Sequence, residues 1–225
     1  MNFLALVSRA RRKCGVTGAD PTTLVDQPEE TKRLIDWVNE AWMDIQLQRE
    51  DWEWMRSTFS FVTVNLQSSY TPAEAGITDF GVWALDNFRN YVTATGTRSE
   101  ILMDYWPYEA WRDTYYFGAN RLVASRPIVA SITPDKQLAL GPFGASGYTV
   151  TGSYYKVASE LSANTDTPDL PAQFHMAIIY RTMMLYGAYE AAQEVYNEGE
   201  IEFKKMMGRI NLNQIPMITF GRALA

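Results

Sequence analysis

The sequence predicts an α+β protein: N- and C-terminal segments form a helical bundle, an antiparallel β-subdomain is inserted between them, and an extended arm follows. Three observations carry this expectation. Apolar residues recur at helical spacing at both ends of the chain, at Phe3, Leu4, Val7, Ala10 and Cys14 and again at Phe203, Met206, Met207 and Ile210. Between Arg56 and Val157 the period falls to two, and turn residues separate short apolar runs. Past the last periodic segment, Ile215, Pro216, Met217, Ile218 and Phe220 cluster with no period at all. The expected boundaries are a discontinuous bundle of residues 1–57 and 159–212, a β-subdomain of 58–158 and a C-terminal arm of 213–225.

In chain order, the first helix is expected to stop at Gly15, and a loop follows through TGADPTT. The second starts near Asp26, with Pro28, Glu29 and Glu30 in its first turn, and turns Ile35, Val38, Trp42 and Ile45 inward. From Phe59 strand alternation begins, with Phe59 and Phe61 on one side and Val62, Val64 and Leu66 on the other. Further strands are read in YVTAT, PIVASI, QLALG and GYTVTGSYYKV, and ITPDKQ is a hairpin candidate. A short helix, WPYEAWRDTYYFG, starts at Pro107, aligns Tyr108, Trp111 and Tyr115 and closes at Gly118. GPFGASG reads as a flexible loop. After the polar linker ASELSANTDTPD, a long helical run begins near Pro171 and carries Phe174, Ile178, Met184, Leu185 and Ala188 inward. Gly187 and the NEG at 197–199 are its candidate breaks.

Composition narrows the function. At 225 residues, 47% hydrophobic and 20% charged, the chain can bury a core and lacks the profile of disorder. One cysteine and one histidine leave no internal disulfide and no all-protein zinc site, and no cofactor is expected. A net charge of −6 argues against a surface that grips nucleic acid through its phosphates. No run is long enough for a membrane helix, and the cations of RARRK follow FLALV instead of preceding it, unlike a secretory signal.

No catalytic residue is assigned. His175 between Phe174 and Met176 reads as a packing or capping residue, and Cys14 as a small core hydrophobe. The carboxylate pairs Asp51 with Glu53 and Glu198 with Glu200 read as solvated surface, and neither a Walker loop nor GxGxxG occurs. The surplus is aromatic, with seven tryptophans and thirteen tyrosines. Trp42 belongs to a helical stripe, whereas Trp37, Trp52, Trp54, Trp106 and Trp111 are candidates for a subunit interface or a core junction.

The succession of helix, loop and longer helix running into LIDWVNEAWMDIQLQREDWEWMRSTFSF, then a β-block, then DLPAQFHMAIIYRTMMLYGAYEAA, resembles the head-to-tail adaptor proteins of tailed bacteriophages. The resemblance covers most of residues 1–210. It implies a non-enzymatic virion protein of the neck, assembled in the host cytoplasm. Copies would form a dodecameric ring beneath the portal protein, extend the DNA channel so that the genome passes without specific binding, and dock a tail or nozzle protein, with no membrane involved. By the same analogy Ile215, Pro216, Met217, Ile218 and Phe220 would dock on the portal. Thr133, Pro134, Asp135, Lys136, Pro142 and Phe143 would face the tail. The alternatives are a tail-completion or tail-tube terminator protein and, from another class, a glycan-binding or glycan-hydrolysing virion protein using exposed tryptophans.

Overall fold

A computed structural model describes residues 1–214, so the portal-docking candidates Ile215, Pro216, Met217, Ile218 and Phe220 lie outside the described residues. The chain divides into two compact units, residues 1–54 together with 158 onward, and Met55–Val157. The α+β class is as expected, with helices at both ends and strands between.

In the helical unit, α1 (Phe3–Lys13) is opened by Asn2, whose Oδ1 accepts from Ala5 N at 2.9 Å. It closes on Gly15 at φ 74°, where the Gly15 and Val16 amides return to the Arg12 and Arg11 carbonyls, a Schellman ending. Helix α2 (Glu29–Leu47) starts later than the sequence implied, because Asp26 sits at φ 54° and cannot enter a helix. Its inward stripe is Leu34, Val38, Ala41, Trp42 and Ile45, with Ile35 only half-buried. The chain returning at 158 is held to α2 by two side-chain amides that imitate strand pairing. Gln46 bonds the backbone of Ser159, N at 3.1 Å and O at 3.0 Å, and Asn39 bonds Leu161, N at 3.0 Å and O at 2.9 Å.

The long C-terminal run is two helices, α4 (Met176–Tyr189) and α5 (Gln193–Gln214), the label α3 being kept for the short helix Tyr108–Trp111 of the other unit. The break falls at Glu190–Ala192, with Ala191 at φ 54°, and not at either expected glycine. Gly187 and Gly199 lie within the helices because the two pack there backbone to backbone. A Cβ on Gly187 would stand 2.7 Å from Tyr196 N, and one on Gly199 2.8 Å from Tyr180 O. Leu185 is half-buried and Ala188 exposed, correcting the inward face to Ile178, Ile179, Thr182, Met183 and Met184.

In the β-unit nine strands form two sheets. They are β1 (Arg56–Val62), β2 (Gln67–Tyr70), β3 (Phe80–Val92), β4 (Ile101–Leu102), β5 (Asp104–Tyr105), β6 (Ala124–Ser125), β7 (Val129–Ile132), β8 (Leu138–Gly144) and β9 (Tyr148–Lys156). One sheet runs β1-β9-β3-β4, and the other β2-β8-β7-β5 with β6 also on β8. The long ladders are antiparallel as expected, but β5 with β7 and β6 with β8 are short parallel pairs. The core between the sheets draws Phe59, Phe61, Trp83, Phe88, Val150 and Tyr154 from one and Tyr70, Ala130, Leu138 and Leu140 from the other. A second cluster, on Ala139 and Phe143 of β8, is covered by Trp111 of α3 with Trp106, Tyr108 and Tyr115. Strand β8 is therefore buried on both faces, which is why its sequence shows an unbroken apolar run instead of alternation.

Candidate functional site

The tryptophans at the end of α2 are first of all a helix ending. Trp52 is completely buried, and its indole Nε1 donates to the carbonyls of Ile45 and Gln46 at 3.2 and 3.1 Å, satisfying groups a helix terminus leaves open. Trp54 lies against Trp52 and Trp42, with ring centroids 5.8 and 5.3 Å apart. Arg49 covers the Trp52 ring at 5.3 Å and is gripped by both Asp51 oxygens at 2.9 and 2.8 Å. That grip holds the Asp51 carboxyl below its ordinary range.

Of the five candidates for a subunit interface or a core junction, Trp52 and Trp111 are 0% and 1% exposed, and each is packed within its own unit. They are core residues: the Trp52 indole has two backbone acceptors in reach, while Trp111 is packed against Phe143 and Tyr108, its ring burial offsetting an indole N–H left without a partner. Trp37, Trp54 and Trp106 keep partial exposure. Trp37 joins Tyr186 and Tyr189 at 6.1 and 5.3 Å in a surface aromatic group that Arg33 caps at 4.9 Å.

The other titratable candidates are structural. His175 is 1% exposed; Nε2 donates to Leu170 O at 2.8 Å and Nδ1 accepts from the Met1 nitrogen at 2.6 Å. Burial pushes its pKa down, so the ring stays neutral. Burial likewise pushes the Cys14 thiol up to about 12, which keeps it protonated and inert. Glu198 pairs with Lys13 at 2.8 Å and Glu200 with Lys204 at 2.7 Å. The RARRK cations fasten the loop after α1, Arg11 donating to the carbonyls of Thr17 and Ala19 and Arg12 standing 3.8 Å from Asp20. Among the described residues no group of three His, Cys, Asp or Glu could hold a metal.

The predicted hairpin forms between β7 and β8. Thr133 N donates to Gln137 O at 3.0 Å, Lys136 N to Thr133 O at 2.9 Å, and Lys136 takes φ 59°. Thr133, Pro134, Asp135 and Lys136 are the turn itself. Pro142 and Phe143 are not in a loop: both lie in β8, and Phe143 is 5% exposed. Gly141 shows why GPFG makes a strand there, since any Cβ on it would meet the Tyr115 ring at 2.5 Å. Beside the turn, a cleft of about 280 Å³ is lined by Ser69, Tyr108, Tyr116, Thr133, Asp135 and Gln137 among others. Asp135 is the one acid of its lining, whereas glycoside hydrolysis takes two carboxylates.

Periodicity did not reveal the apolar surface beyond α3. A turn of π-helix (Arg112–Tyr116) and a 3₁₀ turn (Gly118–Leu122) leave Tyr116, Phe117, Leu122 and Val123 exposed, Leu122 by 72%. The available signal was an apolar run, YYFGANRLV, that fits neither period.

What the two units define is a protein built to be bound. The titratable candidates His175, Cys14, Glu198 and Glu200 are packed or paired, while apolar side chains stand exposed on loops and strand ends. The family model described as SU10 adaptor protein matches residues 1–219, and the chain belongs to that family, as a structural adaptor of a bacteriophage and a component of the virion. No curated protein matches the chain. Among the described residues no helix is long and apolar enough to cross a membrane.

Proposed function

We propose that this chain is the head-to-tail adaptor of its phage. Copies close into a dodecameric ring beneath the portal protein, lengthen the DNA channel and offer a docking surface to the tail or nozzle protein. Membership of the SU10 adaptor family over residues 1–219 carries the proposal. The work is done by binding and not by chemistry: each contact between copies is modest, and closing the ring makes the set strong. A net charge of −6 supports a wall that repels the phosphate backbone and lets the genome slide.

In this reading Ile215, Pro216, Met217, Ile218 and Phe220 dock on the portal, and the Thr133–Lys136 turn with the neighbouring Phe117 loop faces the tail. The test is a pull-down by the cognate portal, with the full chain and with residues 214–225 deleted. The full chain is expected to be retained and the deletion to lose most of the retention. Equal retention removes the arm assignment, and attachment of the full chain to purified tail tube in place of the portal would make the protein a tail-tube terminator.

A further inference from the structure

The sheet β1-β9-β3-β4 has two edges of different character. Strand β1 keeps an unbroken register with β9 over all seven residues, Arg56 opposite Tyr155 through Val62 opposite Thr149. Thr63 N donates to Tyr148 O at 2.8 Å, which fixes the alternation: Phe61, Phe59 and Ser57 bond towards β9, and Thr58, Ser60 and Val62 direct their amides and carbonyls away from it. Those three side chains are exposed, and Val64 and Leu66 continue the exposed row. No charge and no proline occurs from Ser57 to Thr71. Edge strands ordinarily carry a charge, a proline or a bulge that blocks further pairing. β1 has no proline and no bulge, and its one charge is Arg56 at its first residue.

At the opposite edge, β4 covers only Arg89 and Asn90 of β3, so among the described residues 80–85 have no strand partner on the side away from β9. That stretch, FGVWAL, is also uncharged. It borders an apolar groove of about 220 Å³ lined by Phe80, Val82, Leu85, Tyr105 and Ile132, with Lys136 at its polar end. Leu85 and Tyr105 are exposed there by 44% and 39%.

We infer that β1 of one copy lies along residues 80–85 of β3 in the next copy, extending this sheet from subunit to subunit. This rests on the ring reading above and names the surface that closes the ring. A second copy is the occupant for three reasons. Both facing edges belong to the same sheet, so their union leaves one free edge of each kind and repeats, whereas β1 against β1 is two-fold and stops at a dimer. Copies that each carry −6 repel, and the facing stretches 57–62 and 80–85 carry no charge of their own, with Lys136 the one charged residue lining the groove beside them. A single strand edge with a few apolar side chains offers less than the roughly 1,200–2,000 Å² of a stable pairwise interface. The contact is thus weak in a pair and strong in a closed ring.

The test uses the full chain with Ser60→Cys and Leu85→Cys together, oxidised with copper phenanthroline after mixing with portal and imaged by negative stain. Cys14 is silent, being buried with its thiol pushed up to about 12. The inference expects a ladder of cross-linked species from the double variant and none from either single variant. Rings without a ladder overturn the edge pairing and leave the ring standing; a dimer from Ser60→Cys alone overturns it in favour of two-fold pairing; no ring under any condition removes the ring reading and this inference together. Val62→Lys and Ser60→Pro alter only the free side of β1. With circular dichroism and Tm unchanged they should lower ring yield at least tenfold, and a wild-type yield would overturn the inference.

Discussion

The two units treat apolar surface in opposite ways. Of seventeen large apolar side chains exposed among the described residues, twelve belong to the β-unit and five to the helical unit, where they are scattered. The helical unit is closed by backbone-close packing at Gly187 and Gly199 and by the paired amides of Asn39 and Gln46. The β-unit closes its core between two sheets and still leaves a strand edge, a groove and an apolar loop in water. In the proposed reading the difference separates a scaffold, whose residues matter for folding, from a surface whose residues matter for assembly.

The sharpest way to break this division is to cut into the scaffold. Trp52→Ala removes a fully buried ring and leaves the Ile45 and Gln46 carbonyls without their donor, at an expected cost of about 3–5 kcal/mol in chemical denaturation. A cost near zero would show that the tryptophan stack is not structural. Gly199→Ala drives a Cβ to 2.8 Å from Tyr180 O, and overpacking of this kind costs roughly 1–3 kcal/mol, read as a lower Tm. The same change at Gly147, where a Cβ meets nothing within 4 Å but φ is 95°, tests backbone strain without crowding.

A smaller effect separates the units by pH. His175 has a folded pKa lowered by burial, so below its unfolded value near 6.5 the unfolded chain binds the proton more readily. Stability contributed by this group is complete above that pH and is lost as pH falls towards the folded pKa, by at most about 1.4 kcal/mol per pH unit. Denaturant midpoints between pH 7.5 and 5.5 should fall for the wild type and fall less for His175→Gln. The smallest stability effect belongs to the exposed loop after α3. Phe117→Ser, 55% exposed, should leave unfolding within about 0.5 kcal/mol of wild type. Its consequence should appear only in binding to tail components, and a large loss of stability would mean that the loop is core.

Much of this plan is legible in the residues, and the misses share a cause. Helical period locates α1, the body of α2 and the inward face of α5, Gly15 marks the end of α1, and Pro134 with Asp135 mark the hairpin, because these features are local. The first half of β3 escapes notice because register shifts after Phe80 and after Ala84 break its alternation, so only its end, in YVTAT, reads as strand. GPFG looks like a loop because glycine and proline usually punctuate, yet Gly141 is small to admit the Tyr115 ring. The same holds at Gly187 and Gly199, which read as helix breakers and serve close packing. Whether a glycine marks a turn or a contact depends on a neighbour distant in sequence. Among the site candidates, residue type alone could not tell the buried Trp52 and Trp111 from the half-exposed Trp37, Trp54 and Trp106, since all five sit in aromatic-rich stretches.

Electron cryo-microscopy of the full chain mixed with its cognate portal tests the central claim most directly. The account predicts a closed ring of this protein coaxial with the portal, its β-units joined edge to edge around the channel. Single unattached chains at saturating concentration, or density on the tail tube with none on the portal, would contradict it.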